Sequence, residues 1–342
     1  MLGGRQESGP GPAGPGPSAS GGDLNVRWIH GSPSPWHRTD PPIQVQRYDE
    51  RTFILRQSKD VSYEAPFMYL LVGDERAVLF DTGATKDPAS SPLRATVDRL
   101  LDESSANGHG PVRGLVVAHT HGHGDHVAGD PQFLGRPDTA VVARDVDAVR
   151  EFYRIPGWPD GVGRIDLGGR VLDVLPTPGH HPSAVAVFDP RTGFVLTGDT
   201  VYPGRLYAFD PPAFAASLER LVSFAEDREV SHVMGCHIEM TRTPGRDYPI
   251  GTRYQPDEPP LQMSMGQLVS VKEAALKAGG RPGRHTFDDF VIFNSPCRRA
   301  LLASALGGVG RNLGRRLGLS QGAPGEARLR GPHVKNQRTE ID

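Results

Sequence analysis

The stretch Leu115-Val116-Val117-Ala118-His119-Thr120-His121-Gly122-His123-Gly124-Asp125-His126 decides the reading of this chain. Four apolar residues form a short buried strand and deliver the backbone into a loop with three imidazoles and a carboxylate within the six positions 121–126. Gathering His121, His123, Asp125 and His126 so closely is costly unless a cation holds them. Imidazole nitrogens and carboxylate oxygens at about 2.0–2.2 Å are the ligands a zinc ion prefers. The alternation puts His121 and His123 on one side of an extended turn, and Asp125 and His126 on the other. Gly122 and Gly124 let the backbone turn without side-chain clashes. One loop is thus expected to feed two neighbouring metal positions, against the competing reading of a solvated His-rich loop. His119 lies outside the frame, because the adjacent Asp125-His126 pair fixes the register at His121. It is left a structural or supporting role.

Three later segments carry one further ligand type each at a strand end or turn: Thr177-Pro178-Gly179-His180, Thr197-Gly198-Asp199-Thr200 and Met234-Gly235-Cys236-His237. That is the arrangement expected when several strands converge on one edge. His181 follows a candidate ligand and is expected to point elsewhere. Cys236 is expected to project away from His237 into the core. His30, His37 and His109 sit in Gly/Pro-rich surroundings and are read as surface residues.

Outward from these segments, apolar alternation at Ile43–Gln46 and short apolar runs elsewhere predict strands at Ile43–Gln46, Thr52–Leu55, Phe67–Val72, Ala77–Phe80, Thr139–Val142, Val171–Leu175, Ala184–Phe188, Phe194–Leu196, His232–Gly235 and Phe290–Phe293. Helices are expected after Pro92, near Asp145, after Asp210-Pro211-Pro212 and over Leu268–Leu276, the third from a capping acid followed by proline. Short strands with recurring helices give an α+β class of mixed sheets with helices on their outer faces. Residues 1–40 are rich in Gly, Pro and Ser and read as a disordered N-terminal arm, with Trp28 and Trp36 able to dock. Residues 41–295 form the domain. Residues 296–342 are basic, with Arg311, Arg315 and Arg316, and read as a disordered tail or a fraying helix. The aperiodic segment 242–260 reads as a binding loop or lid.

The chain has 342 residues, a net charge of -2 and two cysteines, Cys236 and Cys297. Such a charge names no nucleic-acid or membrane partner, and two cysteines build no disulfide framework. Neither a bilayer-spanning run nor an apolar signal segment is found, so a cytoplasmic protein with a small-molecule substrate is expected. Arginine in excess of lysine, with abundant Ala, Gly and Pro, resembles a bacterial high-GC composition.

Over residues 43–295 the chain resembles the metallo-β-lactamase superfamily, through the HxHxDH pattern at 121–126 and His180, Asp199 and His237 in order. The resemblance implies an αββα sandwich. It implies that His121, His123 and His180 hold a first metal, that Asp125, His126 and His237 hold a second, and that Asp199 bridges them. Asp81, in Phe80-Asp81-Thr82-Gly83, would stabilise the metal loop or serve a purely structural role. The implied cofactors are two zinc ions, with iron or a mixed pair possible. The implied activity is hydrolysis of a small ester, thioester or lactone by a metal-bridging hydroxide. Asp125 would relay a proton, and Tyr202 would donate to the substrate oxyanion, as in lactonases of the superfamily. Arg205 and Tyr207 share its loop. Asp199 argues against true β-lactamase activity and His123 against the flavodiiron branch. No RNA-binding or large insert domain of the nuclease branches is recognised, nor a clear glutathione-binding region. The alternatives are a mononuclear iron enzyme resembling persulfide dioxygenases and a metal-stabilised binding protein without catalysis.

Overall fold

Alternation along the early strands sorts their side chains onto two faces. The first sheet contains, in spatial order, β1 (Ile43–Asp49), β2 (Thr52–Gln57), β3 (Phe67–Val72), β4 (Arg76–Phe80), β5 (Gly114–Ala118) and β6 (Thr139–Val141). Pairing is antiparallel from β1 to β4 and parallel from β4 to β6. Tyr69, Leu71, Val78, Phe80 and Val116 face inward. Met68, Leu70, Ala77, Leu79, Leu115 and Val117 face outward, against Leu93, Val97, Leu100 and Leu101 of α1 (Leu93–Ser104). The computed structural model describes residues 22–106, 110–296 and 298–319; His109, Cys297 and the outer parts of both termini lie outside them.

A short turn of helix, α2 (Gly124–Val127), and α3 (Val146–Tyr153) follow the two parallel crossings. The second sheet is built from β7 (Gly163–Asp166), β8 (Val171–Pro176), β9 (Val185–Asp189) and β10 (Phe194–Gly198), then β12 (His232–Gly235) and β13 (Gln262–Met263). Val174, Val187, Leu196 and Met234 meet the first sheet. The other face, with Phe188, Val195 and Val233, is covered by α4 (Pro211–Glu226) and α5 (Met265–Ala278). Three apolar cores therefore separate four layers: helix, sheet, sheet, helix. Asp210 caps α4 by accepting from the Ala213 amide at 3.1 Å, a bond worth about 1 kcal/mol.

Direct bonds clasp the two sheets at both ends. The Phe67 amide donates to the Cys236 carbonyl at 2.8 Å and the Tyr69 hydroxyl to the Gly235 carbonyl at 2.6 Å. At the far end Arg170, paired with the buried Asp189, also donates to Thr52 and to the Arg51 and Val72 carbonyls.

One feature was not expected from the sequence, and two select among the readings it left open, the docking of Trp28 and a helix after residue 296. A third small sheet joins β11 (Arg205–Ala208), β15 (Val291–Asn294) and β14 (Gly283–Thr286), in that order. Within the proposed arm, Leu24 and Trp28 are buried in the inter-sheet core, with Trp28 edge-on to Phe67 at 4.8 Å. Within the proposed tail, residues 298–316 form a helix, α6 (Arg298–Arg316). It docks through its polar and small residues. Ser304 accepts from the Ile250 amide and Asn312 from the Arg253 amide, both at 3.0 Å, while Arg315 pairs with Asp60. Gly308 permits the approach, since a Cβ there would stand 1.9 Å from the Ile250 carbonyl oxygen. Leu302, Leu306, Val309 and Leu313 face outward, Leu306 being 70% exposed. Among the described residues no helix is long and apolar enough to cross a membrane.

Candidate metal centre

Five strand ends meet at one edge of the sandwich. β4 runs into Asp81, β5 into His119-Thr120-His121, β8 into the turn holding His180, β10 into Asp199 and β12 into Cys236-His237. β4 and β5 run parallel, as do β10 and β12, so their carboxyl ends share an edge. Gly198, at φ +52°, makes the close approach possible: a Cβ there would lie 2.7 Å from the Thr120 side chain. After His123 the chain enters α2, so Asp125 and His126 stand on a helical turn instead of an extended one.

The seven candidate ligands form two groups. His121, His123 and His180 make one; Asp125, His126, Asp199 and His237 make the other. His123 Nδ1 lies 3.0 Å from both His121 Nε2 and His180 Nε2. In the second group His237 Nε2 is 3.3 Å from His126 Nε2, and Asp125 Oδ2 is 3.4 Å from both. Ligands about 2.0–2.1 Å from a tetrahedral cation sit about 3.3 Å apart, so both groups fit a metal of zinc's size. Asp199 Oδ2 faces the first group, 3.6 Å from His180 and 3.9 Å from His121. Its Oδ1 faces the second, 3.3 Å from His237 and 3.5 Å from His126. That Oδ1 is buried without a hydrogen-bond partner among the described residues, which a bridging position between two cations would satisfy.

In three of the five histidines the remaining ring nitrogen is held from behind. His126 Nδ1 is 2.9 Å from Asp81 Oδ2, His180 Nδ1 is 2.9 Å from the Tyr207 carbonyl and His237 Nδ1 is 3.1 Å from the Glu64 carbonyl. A donor Nδ1–H in each bond leaves Nε2 free to ligate. The buried Asp81 carboxylate also accepts from the Thr120 amide (2.7 Å), the Thr120 hydroxyl (2.8 Å) and the Cys236 thiol (3.3 Å). It thereby ties β4, the His-rich loop and β12 together. Cys236 is in the core, but its sulfur reaches Asp81, a contact that strand alternation alone misplaces.

Protonation divides the centre the same way. Burial, with the neighbouring imidazoles, holds His121, His123 and His180 below the usual imidazole range. Burial also opposes charge on His126 and His237, but there the carboxylates win. Asp199, Asp81 and Asp125 hold His126 well up, and Asp199 with Asp125 raises His237 to about 9. Against the same burial, the facing histidines keep Asp125 and Asp199 far below the carboxylate range. The second group therefore sets two ionised carboxylates against two histidines that they hold toward the charged form.

The flanking residues fall outside the cluster. His119 Nε2 is 2.8 Å from Asp130 Oδ1, which also accepts from Thr82. His181 bonds to Ser183 through Nδ1, and its ring stands 4.9 Å from that of His123. Tyr202 is buried, and its hydroxyl donates to the Arg205 carbonyl at 2.5 Å. A phenol has one proton to give, and in this structure the Tyr202 hydroxyl gives it to the 202–205 turn. Sequence reasoning missed Tyr63, Glu64, Phe209 and Glu239. The Glu64 carbonyl could not have been found by residue type, because any residue supplies one. Of the 242–260 loop, Ile250 reaches the cavity that adjoins the centre.

A family description, the metallo-beta-lactamase superfamily, matches residues 64–250, more than half of the chain and the span containing all seven candidate ligands. The hydroxyacylglutathione hydrolase of Synechococcus sp. (strain JA-3-3Ab) is 29% identical over 214 residues, covering 61% of this chain and 76% of that protein. The acyl-coenzyme A thioesterase MBLAC2 of Bos taurus is 28% identical over 205 residues, covering 50% and 72%. The metallo-beta-lactamase from Pontibacter korlensis aligns at a TM-score of 0.42 and 23% identity, over 57% of this chain and 91% of that one. With the matched span carrying the whole ligand set, the chain belongs to the metallo-beta-lactamase superfamily.

Proposed function

We propose that the protein hydrolyses a small ester, thioester or lactone at a centre of two metal ions, zinc or a zinc and iron pair. The observation that carries this reading is Asp199, whose two oxygens each face a different group of histidines. His121, His123 and His180 would hold one ion, Asp125, His126 and His237 the other, with Asp199 between them. Two such ions supply Lewis acidity and bring the pKa of a water molecule near neutrality.

The chain's own residues contribute position and proton movement. Asp81 fixes His126 and the Thr120 backbone, so the loop need not reorganise when charge develops. Asp125 is the more exposed of the two carboxylates in the cluster, with a side chain 23% exposed against 9% for Asp199. It is therefore the group that can pass a proton to a departing alkoxide or thiolate. Tyr202 positions the turn before β11. Support for an acyl substrate comes from the names of the relatives, a hydroxyacylglutathione hydrolase and an acyl-coenzyme A thioesterase.

Metal analysis of the purified protein, together with a panel of esters, thioesters and lactones, tests the proposal. Close to two metals per chain and turnover of at least one acyl class are expected. A single iron with oxygen uptake, or two metals without hydrolysis of any class, would overturn it.

A further inference from the structure

A cavity of about 540 Å³ adjoins the metal centre, with walls that include Tyr63, Tyr207, Phe209, Ile250, Leu301 and Leu302. Two of its residues contact candidate ligands, one in each group. The Phe209 ring lies 5.6 Å from that of His180 and 6.1 Å from that of His123. Glu64, also in the wall, accepts from His237 through its carbonyl. The cavity is thereby joined to the first group through the Phe209 ring and to the second through the Glu64 backbone.

Three polar residues of the wall, Arg205, Glu239 and Tyr207, are already engaged within the protein. Arg205 pairs with Glu239 and Asp247, donates to the Tyr248 carbonyl at 2.6 Å, and bonds the Tyr207 hydroxyl at 3.0 Å. What this arrangement offers a ligand is mostly aromatic rings and aliphatic side chains. Ala305, Leu301 and Leu302 come from α6, so the C-terminal helix closes one side of the site. Arg298, exposed at the start of α6, is the cation of the wall for which no partner is seen among the described residues.

We propose that this cavity is the acyl subsite and takes an uncharged apolar chain or ring, so that the substrates are esters or thioesters of apolar carboxylic acids. The assignment rests on reading the centre as hydrolytic. In a thioester of a polar carrier the acyl group is the apolar half, and only that half suits these walls. Burying each methylene of a chain strengthens binding by up to about fourfold.

The test uses the full chain reconstituted with zinc, and titrates it calorimetrically with acetate, butanoate, hexanoate, octanoate and octanedioate. These acids are the products of the proposed reaction, so binding is read without turnover; kcat/KM for the matching thioesters is measured beside it. Affinity and kcat/KM are expected to rise with chain length, and octanoate to bind more tightly than octanedioate. Ala305→Trp, filling the cavity from α6, is expected to flatten both series with metal content unchanged. Leu302→Gln, at an exposed position that folding does not depend on, is expected to flatten them partly. Flat series in the parent, tighter binding of octanedioate through Arg298, or an unaltered slope in both variants would overturn the subsite. Turnover with a flat series removes the subsite and leaves the hydrolase reading. A rising binding series without turnover removes the hydrolase reading, and the acyl-substrate assignment with it, leaving an apolar binding site.

Discussion

The two halves of the candidate centre are built from similar residues but are electrostatically opposite. His121, His123 and His180 are three imidazoles pushed toward neutrality by burial and by one another. His126 and His237 are at least as buried, yet the carboxylates of Asp81, Asp125 and Asp199 hold them toward the charged form. Burial alone does not set the state of a histidine; the carboxylates facing it decide. The second half therefore attracts a cation more strongly but must also release more protons to receive it. Asp199 belongs to both halves, and it is where the comparison can be broken most completely.

Asp199→Ala removes the one residue facing both groups. The expected result is loss of both metals and of all measurable activity, since two cations at such short range repel strongly without the intervening charge. Metal content after dialysis decides it. Retention of one full equivalent would mean that the halves bind independently, and that Asp199 serves only one of them.

Next in size is the response to acid. Protons compete with metal for imidazole nitrogens, and a ligand with a raised pKa holds its proton to higher pH. His237, raised to about 9, is still protonated near neutrality when no cation is bound, whereas the histidines of the first half are already neutral. As the pH falls from about 8 to 5, metal release is expected first from the Asp125, His126 and His237 half. Cobalt-substituted protein titrated in the parent and in His180→Ala separates the two halves spectroscopically. Earlier release from the three-histidine half would reverse the assignment of charge.

Asp81→Ala sharpens the comparison from behind, because Asp81 bonds His126 in the second half and Thr120 beside the first. Loss of a partner behind a metal-bound histidine typically weakens metal affinity about 10- to 100-fold. The loss is expected at the second half, where the contact to His126 is direct, with a smaller effect on the first. Competition with a chelator measures both. Equal weakening would show that Asp81 acts by holding the whole loop and not through His126.

The convergence of the candidate ligands was legible because each is a residue type rarely left after a strand without a reason. His121, His123, Asp125, His126, His180, Asp199 and His237 all converge where strand-end reasoning put them. The four-layer architecture was legible for a related reason: alternation along β3, β4 and β10 names two buried faces, which requires a layer on each side. The α6 helix was not. Its Leu302, Leu306, Val309 and Leu313 stripe points outward while Ser304, Gly308, Asn312 and Arg315 face the protein, the reverse of the usual amphipathic rule. Periodicity locates a stripe, but not which side of it meets the domain. The supporting carbonyls of Glu64 and Tyr207 were illegible too, because backbone groups carry no sequence signal.

The smallest expected effect is that of Tyr202→Phe, and it asks whether the second half relies on the phenol beside it. The Tyr202 ring lies 5.5 Å from that of His237, yet its hydroxyl points to the Arg205 carbonyl and stands 3.3 Å from Glu239. Removing that hydroxyl leaves a carbonyl short of one bond in a buried turn, a cost of about 1–3 kcal/mol in stability. The ring remains, so packing against His237 is kept. Both metals should stay bound, the melting temperature should fall by several degrees, and kcat should change by no more than about threefold. A donor to a developing oxyanion behaves otherwise: its loss costs about 100- to 1000-fold in kcat while the ground state is little affected. A fall of that size at unchanged metal content and modest destabilisation would restore Tyr202 to the reacting atoms. The bond to Arg205 would then be one that the hydroxyl exchanges for substrate.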